Sequence, residues 1–146
     1  MNPREMTGLQ IMQAFASGAF PRPPISVTMP MEVDTVEENR VVFLATANET
    51  HTNPLGGVHG GFAATVLDSV TGCATHTALG AGESYGTIEL NVKMCKAIPF
   101  GKTLRAEGRV INVTRRLVIS EGDIRDDNGV LYAFATATCM ILRPGE

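Results

Sequence analysis

The sequence predicts an α+β fold in which a curved antiparallel sheet of about six strands wraps around one long central helix. Three observations carry this reading. Residues 60–79 are a long run that is apolar on most sides, as expected of a helix buried at the centre of a domain. Four strand-like segments separated by short breaks follow it, and two more precede it. The first of the later segments alternates cleanly, with Ile88, Leu90, Val92 and Met94 on one face and Thr87, Glu89, Asn91 and Lys93 on the other. Alternation with short connections implies an antiparallel sheet covered on one face, and the long helix is the natural cover.

The elements follow in order. Residues 4–17 carry Met6, Leu9, Met12 and Phe15 at helical spacing, with Ile11 and Ala14 widening the stripe, so a short amphipathic helix is expected there. Gly18 and Pro21-Arg-Pro-Pro24 end it and force an extended crossing. Strands are expected over 25–36 and 40–47, joined by a turn at Glu37-Glu38-Asn39. Residues 48–58 are a loop rich in Asn, Thr, Pro and Gly, and Gly80 and Gly82 end the long helix. The later strands are expected over 84–97, 102–113, 117–126 and 130–142, broken at Pro99-Phe-Gly101, Thr114-Arg-Arg116 and the hairpin signal Asp127-Asn-Gly129. On the long helix, small residues (Gly61, Ala64, Thr65, Thr71, Gly72 and Thr75) surround Asp68, while Phe62, Val66, Leu67, Val70 and Cys73 form the bulky side expected to pack on the sheet.

Residues 1–146 read as one domain, with 1–24 as its N-terminal helix and Pro-rich lead-in. The formal net charge of −3, with Lys and Arg scattered, gives no reason to expect nucleic acid. No apolar run approaches the roughly 18 residues of a membrane span, and the N-terminus does not read as a signal peptide. Cys73, Cys95 and Cys139 are three in number and lie in apolar segments, which favours reduced thiols and a cytoplasmic protein. Cys73 and His76 are three apart but have no second pair at zinc-like spacing, so no metal site is expected. Neither a Gly-x-Ser-x-Gly elbow nor a P-loop occurs.

The chemistry concentrates in Asn53-Pro-Leu-Gly-Gly-Val-His-Gly-Gly-Phe-Ala-Ala-Thr-Val-Leu-Asp68. A glycine-rich loop leads into the apolar helix, and one carboxylate sits about two turns inside it. Desolvating an unpaired carboxylate among Ala, Val and Leu is expensive, so Asp68 requires a reason. The amides of Gly60 and Gly61 at the helix start offer one. Free N–H groups there can receive an oxyanion, and a nearby acid can act as base or nucleophile, which are the parts of an acyl-transfer site.

This arrangement resembles the hotdog-fold acyl-CoA thioesterases, and among them the PaaI-type group within the 4-hydroxybenzoyl-CoA thioesterase class. The resemblance rests on a buried helix beginning His59-Gly60-Gly61, an Asn six residues before that His, an Asp nine after it, and the later strand Gly86-Thr-Ile-Glu-Leu-Asn91. It implies hydrolysis of acyl-CoA to free acid and CoA, with coenzyme A as part of the substrate and no separate cofactor. It implies that Asn53 orients the water or thioester and that the Gly60 amide polarises the carbonyl. It implies too that Asp68, reaching in from the partner subunit, serves as base or nucleophile, and that Thr87 holds the water or the carboxylate. His59 matches the family's His and helps to build the turn. The resemblance further implies a homodimer or homotetramer with active sites at the dimer interface. Basic residues near the turns are candidate anchors for the CoA phosphates, Arg115 and Arg116 first, then Lys93 and Lys96.

Two rival readings are a hotdog hydratase or dehydratase and a non-catalytic acyl-CoA-binding module. The first lacks an acid ahead of Asn53 and a His soon after it, and the second normally accompanies a further domain.

Overall fold

A computed structural model describes residues 2–146. The chain runs α1 (Gly8–Ala16), α2 (Ile25–Thr28), β1 (Met31–Glu37), β2 (Arg40–Thr46), α3 (Gly60–Thr77), β3 (Ser84–Met94), β4 (Thr103–Val113), β5 (Leu117–Arg125) and β6 (Leu131–Leu142). Single 3-10 turns lie at Pro3–Glu5 and Glu49–His51. Among the described residues the six strands form one sheet in the order β1-β2-β4-β5-β6-β3, antiparallel throughout. This is the expected sheet curved around one long helix.

The sheet can close on α3 because both surfaces are shaped for contact. Phe62, Ala63, Val66, Leu67, Val70 and Ala74 of α3 are buried against Val41, Phe43, Leu104, Ala106, Ile124, Ala133 and Ala135 of the sheet. At the centre, Gly108 of β4 lies opposite Gly122 of β5. A Cβ at Gly108 would stand 2.2 Å from the carbonyl oxygen of Val70, so the helix backbone rests directly on the strand. Gly108→Ala is therefore expected to lower unfolding free energy by about 1–3 kcal/mol or more, measured by urea denaturation, because the obstacle is backbone and cannot rotate away.

Four expectations need correction. Residues 25–28 form a helical turn rather than the start of a strand; Pro23 and Pro24, with φ already fixed, precede it, and β1 begins only after Pro30. The helix expected over 4–17 divides into the Pro3–Glu5 turn and α1, because Thr7 caps α1 with its side chain and Gln10 bonds back. On α3, Thr71, Gly72 and Thr75 do not line an open stripe with Asp68. They are buried against the sheet, where Thr75 Oγ1 and Ser120 Oγ are 2.9 Å apart and Gly72 lies under the Tyr85 ring. The half-open stripe is Gly61, Ala64, Thr65, Asp68 and Ser69, while the half-buried Cys73 packs against the core as expected.

The fourth correction bears on the site. The alternation in β3 is interrupted by a bulge between Thr87 and Glu89. Thr87 pairs with the buried Cys139, Leu90 with the buried Ala137 and Val92 with the buried Ala135, so these three share the helix-facing side. Ile88 is the extra residue and is 57% exposed. One added residue thus turns the Thr87 hydroxyl from the outer face to the inner one.

Candidate active site

The start of α3 is fixed by a loop whose polar groups are largely committed. His51 is buried; its Nε2 lies 2.8 Å from the Thr28 carbonyl and its Nδ1 accepts the Asn48 N–H at 3.0 Å. With Nδ1 accepting, Nε2 is the donor, and the ring packs on Phe62 at 4.9 Å between centroids. The His51 carbonyl then accepts the His59 N–H at 2.8 Å, tying the loop to the residue that caps α3. Asn53 shapes the loop between them. Its Oδ1 accepts the N–H groups of Leu55 and Gly57 at 2.9 and 3.2 Å, and its own N–H donates to the Gly57 carbonyl. The Asn53 oxygen is therefore occupied, and its side-chain NH2 is what it can offer to a ligand.

His59 is the N-cap of α3, and its Nδ1 accepts the Gly61 N–H at 2.8 Å. This corrects the expectation of two free amides. Gly61 is satisfied by the cap, and the Gly60 N–H, first in the helix, makes no hydrogen bond among the described residues. One unpartnered donor, backed by the positive end of an 18-residue helix, remains.

Asp68 lies on the half-open stripe. Its Oδ1 is buried without a hydrogen-bond partner, and Asp68 forms no ion pair among the described residues. Two groups near it, Cys73 and Tyr85, keep their protons. Burial, then the Asp68 charge, pushes the Cys73 thiol up to about 12. Burial also raises the Tyr85 hydroxyl, with smaller contributions from Cys73, Cys139 and Asp68. Among these neighbours no cation neutralises the carboxylate.

Thr87 faces α3. Tyr85 touches Gly72 and stacks near His76, with centroids 5.6 Å apart, so the Tyr85 face of β3 meets α3. Two residues further along β3, Thr87 shares this helix-facing side, as its pairing with the buried Cys139 requires. The Thr87 hydroxyl lies 3.7 Å from Cys139 Sγ.

Gly60 and Asp68 of one chain are not brought together. Eight residues of helix separate them by about 12 Å along the axis. What meets Gly60 within the chain is a cavity of about 310 Å³ lined by Val58, His59, Ala63, Met94, Lys96 and Tyr132, among others. Of the basic candidates, Lys96 lines this cavity, with Nζ 5.5 Å above the Tyr132 ring, and Lys93 is exposed nearby on β3. Arg115 and Arg116 are exposed in the β4–β5 turn, level with the β6 segment that pairs with the start of β3. They thus stand toward the C-terminal end of α3, away from the same chain's Gly60. Among the described residues no group of three or more His, Cys, Asp or Glu is placed to hold a metal ion. Met94 and the anchoring His51 escape notice in the sequence, where one is a strand residue and the other a filler of the loop.

The family model of the thioesterase superfamily matches residues 55–133, which span the loop, α3 and the sheet up to β6. The chain belongs to the thioesterase superfamily. No curated protein matches it. Among solved structures it is similar to a phenylacetic acid degradation-related protein from Ralstonia eutropha JMP134, at 29% identity over 88% of this chain and 97% of that one, with a TM-score of 0.80. A thioesterase family protein from Silicibacter pomeroyi shares 25% identity over 90% and 98% of the two chains, with a TM-score of 0.79. A Streptococcus mutans protein solved with acetyl CoA has the same fold at 20% identity, covering 77% of this chain and 89% of that one, with a TM-score of 0.71. The fold is thus the hotdog fold, and thioester hydrolysis is the general chemistry of this superfamily member.

Proposed function

We propose that this superfamily member hydrolyses acyl-CoA thioesters to the free acid and CoA, in a site built by two chains. The observation that carries the reading is the buried, unpartnered carboxylate oxygen of Asp68 on a helix whose first amide, at Gly60, is also unpartnered. Native structures rarely bury such atoms without a purpose.

Because one chain holds these groups about 12 Å apart, the pair that works together comes from two helices. β3 is an 11-residue edge strand with Ile88 exposed, which favours pairing with a second copy along that edge. In the proposed dimer, the Gly60 N–H of one chain receives the carbonyl oxygen as negative charge builds on it. Asp68 of the partner subunit attacks the carbonyl or removes a proton from the attacking water. Thr87, on the helix-facing side of β3, holds the carboxylate or the water, and Asn53 offers its amide NH2 from the loop. Thiolate leaves readily, so the site needs no strong acid. Lys96 at the cavity and Lys93 beside it are the basic residues nearest Gly60 for the CoA end; Arg115 and Arg116 can serve only from the second chain.

A thiol-release assay over a panel of aryl- and medium-chain acyl-CoAs tests the reading, and release of free CoA with at least one is expected. Tight binding of an acyl-CoA without release would replace it with a binding module, and addition of water to an enoyl-CoA with a hydratase. Light scattering is expected to give a dimer or tetramer; a monomer that still hydrolyses would exclude the two-chain site.

A further inference from the structure

The first residue of α3 is covered by a side chain from the far end of β3. A Cβ placed on Gly60 would meet Met94 Sδ at 2.6 Å and Met94 Cε at 2.8 Å, so the thioether packs on the Cα of Gly60, next to its unpartnered amide. The same side chain lines the 310 Å³ cavity that opens there.

The other large apolar walls of this cavity are held in place. Tyr132 is 4% exposed and its hydroxyl donates to Asp126 Oδ2 at 3.3 Å. Ile98 is 9% exposed, and Val58 is tied into the loop by its bridge to Thr52. Across the sheet, Met94 pairs with Ala133, and Ala63 lies on α3, so the neighbouring surfaces are small and cannot advance. Met94 alone among these walls combines size with mobility: it is 57% exposed, unbranched and at the last position of its strand.

We propose that Met94 is a displaceable stop that sets the size of the acyl group able to place its carbonyl at the Gly60 amide. This rests on the acyl-CoA hydrolase reading and deepens it. With the thioether over Gly60, the cavity lies at the lower end of small-molecule sites, which run from about 300 to 1,000 Å³. At about 30 Å³ per water-sized group it holds about ten heavy atoms, the size of an aryl or medium-chain acyl group rather than a long fatty chain. Shortening the side chain extends the cavity along β3, and a rigid ring at this position closes it.

The test measures kcat/KM for thiol release from acetyl-, medium-chain, aryl- and long-chain acyl-CoAs in the wild type, Met94→Ala and Met94→Phe. The readout is the ratio between long and short substrates, which a general loss of folding or assembly would not move. Met94→Ala is expected to raise that ratio by about 10-fold or more, and Met94→Phe to lower it by a similar factor, since one methylene in an apolar pocket already changes selectivity by that much. Ratios that stay within about 2-fold of wild type in both variants, or that move in the same direction, overturn the role of Met94 while leaving the hydrolase reading intact. Absence of thiol release from every acyl-CoA in the wild type would instead remove the hydrolase reading, and this proposal with it.

Discussion

Asp68→Asn is expected to slow thiol release from acyl-CoA by at least about 10²-fold while the protein still binds its substrate, because a positioned base contributes roughly 10²–10⁴-fold. The substitution is a clean probe for a structural reason. Asp68 holds no ion pair whose loss could unfold the domain, and its Oδ1 holds no hydrogen bond. Asparagine keeps the shape and removes the charge and the ability to accept a proton. Circular dichroism and the denaturation midpoint should therefore be preserved. Steady-state kinetics with the best substrate of the panel would show the loss mainly in kcat, since the carboxylate acts on the reaction and not on the bound thioester. Turnover within a few-fold of wild type would take Asp68 out of the mechanism.

The second large effect is expected at Gly60. Gly60 is the first residue of α3, and His59 before it has φ −63° and ψ 136°. Both features suit proline: the first helical position has no helical partner for its N–H, and the preceding residue is already extended. Proline can thus delete one hydrogen-bond donor with little cost to the helix. Its ring carbon would meet the Met94 thioether, so the comparison is made in a Met94→Ala background, with Gly60→Ala as the partner variant. The two double variants differ in the N–H, and Gly60→Pro/Met94→Ala is expected to be about 10²–10³-fold slower in kcat than Gly60→Ala/Met94→Ala, the usual effect of losing one oxyanion donor. Equal rates would mean that the carbonyl is polarised elsewhere.

Much of the fold was legible in the chain because local signals and burial agreed. The apolar run that became α3 is too long and too uniformly apolar for any other element, and the later strands lie within a few residues of their expected ends. Local rules failed where proline chemistry competed with apolar patterning, at residues 25–28, and where one inserted residue shifted the register, at Ile88. The bulge matters most. Strict alternation put Thr87 on the face opposite Leu90 and Val92, whereas the pairing with Cys139 turns it to the helix-facing side. Nothing in the residue types of this strand announces the inserted residue, since a bulge satisfies hydrogen bonds across two strands at once.

Residue order alone determined that this chain has a long buried helix with glycines at its start and a carboxylate two turns inside, because helical period and the cost of burying charge are local properties. It likewise determined an antiparallel sheet to cover that helix. Tertiary structure decided which of these groups are free to act. It consumed the Gly61 amide in the His59 cap, occupied the Asn53 oxygen with loop amides, and left the Gly60 N–H and Asp68 Oδ1 unpartnered. It also laid Met94 over Gly60, two positions 34 residues apart in the chain. Such contacts depend on how a strand end and a helix start meet across the core, and no pattern within either segment encodes that distance.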